Sequence, residues 1–342
     1  MIKEPVVDLR SDTVTKPCSA MRKVMASAEV GDSMFGEDPN VNKLEKTLCE
    51  HLGFQHALYV PSGTMSNQIA IGVHTIPGET VLAENLSHFY LYEAGATSTL
   101  SGVQFETIDD ISDDLAIKSH IRPEFFAGSR TSLFVFENTH NEKGGDARSA
   151  AQTSFIMETL REFKLSKHLD GARIWNASCS LQCDDKDLVV GFDSASVCMS
   201  KGLGAPIGSV LLLNDDEKYR KALHLRKRFG GAMRQAGVLA AACTFAFENN
   251  RSRLTEDHKM REDLEAFLVN LNFKLKPISC PTNMIYLKAP LEARKNFFEN
   301  LNQSGIYCFK MSEGYIRFVL HKDISLTQID FAKKIIEQLI NP

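Results

Sequence analysis

Ser196-Val197-Cys198-Met199-Ser200-Lys201-Gly202-Leu203-Gly204 sets a short apolar strand directly against a lysine, with two glycines close behind it. A strand that ends this way delivers the amine to whatever lies at its carboxyl end, which in an open α/β sheet is where ligands bind. A lysine so placed is a candidate to bond a carbonyl compound covalently, although an isolated lysine at a strand end is usually a surface residue. What surrounds it decides the fold. Short apolar runs at 56–60, 80–83, 103–107, 132–137, 167–170, 195–199 and 208–213 alternate with helical patterns at 41–51, 64–74, 151–163 and the Ala-rich 235–247. This alternation predicts an α/β domain, a mostly parallel seven-stranded sheet covered by helices on both faces.

From residue 254 the pattern changes to a charged helix, apolar stretches at 284–288, 305–309 and 315–321, a helix near 292–303 and a closing helix. The expectation is a large domain over 1–253, including the N-terminal segment, and a smaller C-terminal α+β domain over 254–342. A chain of 342 residues is long enough for this division and for a sizeable core. With 43% hydrophobic and 24% charged residues it has ordinary globular composition. A formal charge of −4 provides no field for a polyanion, so nucleic acid is not an expected partner. The basic run Arg226-Lys227-Arg228, followed by Arg234, can meet a phosphate or be a solvated helix face.

Lys3, Glu4, Asp8 and Arg10 interrupt any leader-like apolar stretch, and no apolar run approaches the ~20 residues of a membrane helix. A cytoplasmic protein away from membranes is therefore expected. The eight cysteines show no CxxC pair and no paired zinc-ligand spacing, and read as reduced, mostly buried hydrophobes without a metal. His51, His56, His168 and His258 read as structural or surface histidines, and Asp109-Asp110 with Asp113-Asp114 as a solvated loop.

Two further stretches complete a pattern. Leu169-Asp170-Gly171-Ala172-Arg173 places an aspartate at another strand end, where it can pair with a protonated pyridine nitrogen and keep the ring an electron sink. Pro61-Ser62-Gly63-Thr64-Met65-Ser66-Asn67 turns from strand to helix through small hydroxyl residues, a phosphate cradle built from free amides and the helix dipole. Singly, each is more often a turn or a cap.

Together these stretches resemble the low-specificity L-threonine aldolases, of the aspartate-aminotransferase-like fold of pyridoxal 5'-phosphate enzymes. The resemblance runs over nearly the whole chain. It opens with Asp8-Leu9-Arg10-Ser11-Asp12-Thr13-Val14-Thr15 and Gly36-Glu37-Asp38-Pro39, then takes in the stretches quoted above. It continues through Glu137-Asn138-Thr139-His140-Asn141, Gly230-Gly231-Ala232-Met233-Arg234-Gln235 and Ile316-Arg317-Phe318-Val319-Leu320-His321. The resemblance implies that Lys201 holds pyridoxal phosphate, that Asp170 pairs with its ring nitrogen and that His88 stacks on its face. It implies that Gly63, Thr64, Arg173 and Ser200 contact the cofactor and that Arg234 supports the phosphate across a subunit boundary. Ser11, Arg173 and Arg317 would hold the amino acid carboxylate, with His140 and Lys227 near the substrate side chain.

The reaction so implied is retro-aldol cleavage of L-threonine or L-allo-threonine to glycine and an aldehyde, in a homotetramer built from dimers with shared active sites. Another amino acid lyase of the same fold, acting by β-elimination or on a different β-hydroxy amino acid, and a non-catalytic relative are the alternatives. The chain departs from the resemblance at Phe35, where many members have tyrosine, and at Lys143-Gly144-Gly145-Asp146-Ala147-Arg148, where a Val-x-Pro-like segment is usual. Both departures bear on side-chain preference.

Overall fold

The computed structural model describes residues 6–271, 276–278, 280–288, 291–311 and 314–340, so Lys3 and Glu4 lie outside the described residues. In chain order the strands are β1 (Val7–Asp8), β2 (His56–Val60), β3 (Thr80–Glu84), β4 (Gln104–Ile108), β5 (Thr131–Glu137), β6 (Ser166–Gly171) and β7 (Ser194–Cys198). They continue as β8 (Ser209–Leu213), β9 (Lys276–Ile278), β10 (Met284–Lys288), β11 (Ile306–Tyr307), β12 (Phe309–Lys310) and β13 (Tyr315–Val319).

Seven strands form one sheet in the order β2-β8-β7-β6-β5-β3-β4. All seven predicted runs are in it. β4, β3, β5, β6 and β7 run parallel, and β8 runs antiparallel to both β7 and β2. β3, β5, β7 and β8 are buried at every position, because helices cover both faces and leave no polar side to alternate with. Helix Pro39–Leu52 starts where Asp38 caps the amides of Asn40 and Val41 and proline takes the first turn, and ends at Gly53 with φ +78°. Helix Gly63–His74 is capped by Ser62, whose hydroxyl accepts from Met65 N–H, and runs buried along most of its length against β7 and β8. The helix expected over 151–163 closes earlier, as Ala150–Thr159, because the chain must turn before entering β6.

A second, antiparallel sheet has the order β12-β13-β10-β9. Its core joins Leu264 and Leu268 of helix Leu254–Asn270 to Ile285, Leu287, Phe318 and Ile329. The strand expected over 305–309 is divided at Cys308, because β11 pairs with β1 whereas β12 pairs with β13. Val7 and Leu9 lie in the same core, and Val319 N–H donates to the Leu9 carbonyl at 2.9 Å. The first strand thus joins the layer built mainly from the chain's last ninety or so residues, as pairing of Val7 with Ile306 shows. Of the cysteines, Cys198, Cys243, Cys280 and Cys308 are buried and Cys18 is exposed. Among the described residues no helix is long and apolar enough to cross a membrane.

Candidate active site

Parallel pairing brings the carboxyl ends of β5, β6 and β7 level, with Glu137 beside Asp170 and Asp170 beside Ser196. Lys201 follows the end of β7 in a tight turn. Gly204 N–H donates to the Lys201 carbonyl at 2.8 Å, and the Thr15 hydroxyl donates to the same oxygen at 3.0 Å. Gly204 holds φ +76°, the left-handed region that favours glycine, and a Cβ there would have to displace the end of the Lys322 side chain. The Lys201 amine forms no hydrogen bond or ion pair with the described residues. Its charge nevertheless acts on both Asp12 and His88, as that of an amine near both does.

Asp170 is buried, and its carboxylate accepts from Ala172 N–H at 3.2 Å and from the Asn67 amide at 2.8 Å. The Asn67 amide also donates to Glu93 at 2.9 Å, and Glu93 faces Nδ1 of His88 at 3.1 Å. Ligand atoms of His88, Glu93 and Asp170 all lie within 4.8 Å of one another. His88 opens the short helix His88–Leu91, whose first amide is held by Glu137 at 2.8 Å. Burial disfavours a charged His88 ring, but the Glu93 hydrogen bond and the charges of Asp170 and Glu137 outweigh it and raise its pKa above the ordinary histidine value.

On the other side stand two arginines. Arg173 is buried and gives Asp12 a bidentate pair, Nε at 2.8 Å and Nη2 at 2.7 Å. Burial alone would raise the Asp12 carboxyl, yet the Arg173 guanidinium, and more weakly Lys201, hold it well below the usual carboxylate range. Arg173 Nη1 and Arg317 Nη1 converge on Oδ1 of Asn141, at 3.2 and 2.9 Å. Arg317 also donates to the Arg10 carbonyl at 3.1 Å, while its buried Nε–H has no partner among the described residues. Tyr286 fixes this loop by donating its hydroxyl to the Asn141 carbonyl at 2.6 Å.

The amides of Gly63 and Thr64 open their helix with no acceptor among the described residues, and the buried hydroxyls of Ser66 and Ser209 are likewise unpartnered. That is an anion cradle with open donors. Ser200 lies beside Lys201, its hydroxyl 3.4 Å from Cys198 Sγ. Ser11 neighbours the Asp12 pair, its hydroxyl 3.4 Å from Asp12. His140 is wholly buried, with Nε2 3.6 Å from a carboxylate oxygen of Glu84 and neither ring nitrogen hydrogen-bonded. Arg234 lies on the surface, paired with Asp32 at 2.9 Å, and Lys227 is exposed in helix Asp216–Arg228. One chain therefore brings Lys201, Asp170, His88, Arg173 and Arg317 to the strand ends and leaves Arg234 and Lys227 outside.

Asn67, Glu93, Asn141 and Asp12 share this site without having been singled out for roles. Asn67, Asn141 and Asp12 stand inside the quoted motif stretches, which was the available signal. Glu93 has none.

The chain belongs to the beta-eliminating lyase family, whose model matches residues 8–290. Low-specificity L-threonine aldolase 1 of Arabidopsis thaliana is 37% identical over 345 residues, covering 97% of this chain and 96% of that one. The low specificity L-threonine aldolase of Escherichia coli (strain K12) is 36% identical, covering 95% and 96%. Leishmania major threonine aldolase, at 20% sequence identity, superposes with a TM-score of 0.82 over 97% of this chain and 98% of that one, and shares the fold.

Proposed function

We propose that this protein is a pyridoxal-phosphate-dependent threonine aldolase, cleaving L-threonine or L-allo-threonine to glycine and acetaldehyde. The observation that carries this reading is the convergence at the ends of β6 and β7 of an amine without a partner among the described residues, Lys201, and a buried carboxylate, Asp170, with His88 beside it. Pyridoxal phosphate fits these residues. Lys201 would hold it covalently, Asp170 would face its ring nitrogen, His88 its ring, and Ser200 with the open amides of Gly63 and Thr64 its remaining polar edges and phosphate. When bound, the cofactor supplies an electron-poor ring that accepts the electron pair released at Cα.

The chain's own groups choose which bond is broken. Arg173 and Arg317, with Ser11, fix the substrate carboxylate, and the open Nε–H of Arg317 is a donor for it. A carboxylate so held would decide which bond at Cα is presented for cleavage. His88 presents Nδ1 to Glu93, which leaves Nε2 to take the β-hydroxyl proton directly or through water. Glycine forms when a proton is returned to Cα. His140, buried against Glu84, would lie behind the substrate side chain, and Lys227, outside the site of its own chain, would reach a substrate only in a neighbouring subunit.

The same proposal takes the protein to be a cytoplasmic homotetramer, a dimer of dimers in which Arg234 supports the phosphate of a neighbouring subunit. Arg234 is half exposed and Phe35, 74% exposed, stands by the same loop, a surface suited to a second copy. A boundary between residues 253 and 254, with β1 crossing to the second unit, belongs to this reading.

The experiment is to incubate the purified protein with L-threonine and L-allo-threonine and separate the products. Glycine with acetaldehyde in equal amounts supports retro-aldol cleavage, whereas a 2-oxo acid with ammonia means elimination and refutes it. Borohydride reduction followed by peptide mapping should fix the cofactor on Lys201; label on another lysine refutes the assignment.

A further inference from the structure

Behind Asp170 the sheet buries a line of polar side chains that the proposed reaction does not use. Asn67 Oδ1 lies 3.3 Å from Nε2 of His168, His168 Nδ1 lies 2.8 Å from the Ser194 hydroxyl, and that hydroxyl lies 2.8 Å from Nε2 of His74. His168 and Ser194 are fully buried, and Asn67 and His74 nearly so. Read from the Asn67 end, hydrogen-bond valence gives a consistent set of protons along the line. The Asn67 nitrogen has two hydrogens and two carboxylates to meet, Asp170 at 2.8 Å and Glu93 at 2.9 Å. A flipped amide would set its oxygen against both carboxylates. With the amide so oriented, Oδ1 is an acceptor, and His168 must carry its proton on Nε2.

The Nδ1 of a neutral His168 is then an acceptor for Ser194 O–H, and Ser194 Oγ accepts from Nε2–H of His74. The line ends on His74 Nδ1, a buried nitrogen with no partner among the described residues, as an acceptor at the end of such a line can be. Both rings are neutral: burial brings His168 down to about 4 and holds His74 well below the ordinary histidine value.

We infer, building on the functional reading above, that Asn67 is a positioning residue that ties the carboxylate facing the cofactor's ring nitrogen to Glu93 and His88, its amide locked from behind by the buried line His168–Ser194–His74. Asp170 is oriented by a side chain whose own orientation is fixed by the two carboxylates in front of it and held by the His168 ring behind it. The same amide holds Glu93, so the group facing the ring nitrogen and the support of the proposed base share one anchor.

Three holoenzyme variants and one measurement on the unaltered protein test this. Asn67→Leu and His168→Leu should raise the dissociation constant for pyridoxal phosphate at least tenfold and displace its visible absorption band, because Asp170 loses an oriented donor. His168→Gln, whose side-chain nitrogen can still donate to Asn67, should stay within threefold of the parent and keep the band. A purely structural Asn67 would lower the melting temperature and leave both cofactor readouts in place, which overturns the inference. Equal effects of His168→Gln and His168→Leu overturn the lock. Where a leucine variant does not fold, nitrogen-15 NMR of histidine-labelled parent protein decides: His168 with its proton on Nε2 supports the assignment, and a proton on Nδ1 refutes it. That measurement needs no cofactor, so failure of this inference is distinguishable from a parent protein that takes up no pyridoxal phosphate, which would refute the functional reading.

Discussion

Asp12→Asn isolates what holds the proposed carboxylate-binding arginine in place. The wild-type pair is bidentate, at 2.7 and 2.8 Å, with Asp12 fully buried and Arg173 6% exposed. Asparagine keeps the shape and one acceptor but turns an NH2 group toward the guanidinium and leaves its charge uncompensated. Breaking a buried pair by removing one partner costs roughly 3–5 kcal/mol. Scaled by an unfolding entropy of about 2 cal/mol/K per residue over this chain, that loss lowers Tm by roughly 4–7 °C. Because Arg173 holds the Asp12 carboxyl well below the ordinary value, the stabilisation is present above about pH 4 and is lost only as pH falls through the depressed folded value. The difference between parent and variant should therefore be flat from about pH 5 upward. Calorimetry over that range, with KM for threonine measured in parallel, is the assay, and KM should rise as Arg173 loses its fixed fork. A Tm change under about 1.5 °C together with an unchanged KM would refute the reasoning.

His168 is neutral in the folded protein because burial lowers it to about 4, whereas in the unfolded chain it titrates near 6.5. Stability from this group is full above about pH 6.5 and falls by on the order of 3 kcal/mol as pH drops to about 4, and an acid limb left unchanged in His168→Gln would count against it. Asp170→Asn should retain some cofactor but lose more than tenfold in kcat, over ~1.4 kcal/mol of barrier, in a steady-state aldehyde assay; a smaller loss would mean the carboxylate does not serve the ring. Arg317→Lys replaces a fork with a point charge and should raise KM for threonine strongly, and an unchanged KM would remove Arg317 from the substrate. His88→Phe should lower kcat by ~10²-fold or more, whereas His140→Phe should chiefly alter the ratio of threonine to allo-threonine turnover; kinetics with both diastereomers would expose the reverse pattern.

The strand–helix alternation was readable because each strand of the large sheet is a short apolar run bounded by turn residues, as at 132–137 and 195–199. The reversed direction of β8 was not, since a strand buried on both faces has the same composition whichever way it runs. Helix Ile174–Leu181 is not legible because it is short and buries its polar Asn176 and Ser178 along with its apolar residues. Within the site, Lys201 and Asp170 announce themselves by standing at strand ends. Glu93 does not, because its importance comes from meeting Asn67 and His88 in space, and no spacing rule ties a carboxylate to an amide 26 positions away. Asn141 stood in a quoted stretch, but its bridge between Arg173 and Arg317 depends on a strand that comes 176 residues later.

That long reach has a consequence for the protein's birth on the ribosome. Arg317 meets the Arg10 carbonyl across 307 positions, and β1 waits for β11 before it has a partner. Lys201, Asp170 and Asn67 are all made more than a hundred residues before Arg317, so the proposed carboxylate grip is the last part of the site to be synthesised. The chain's earliest described residues are thus among the last to find their pairing partner.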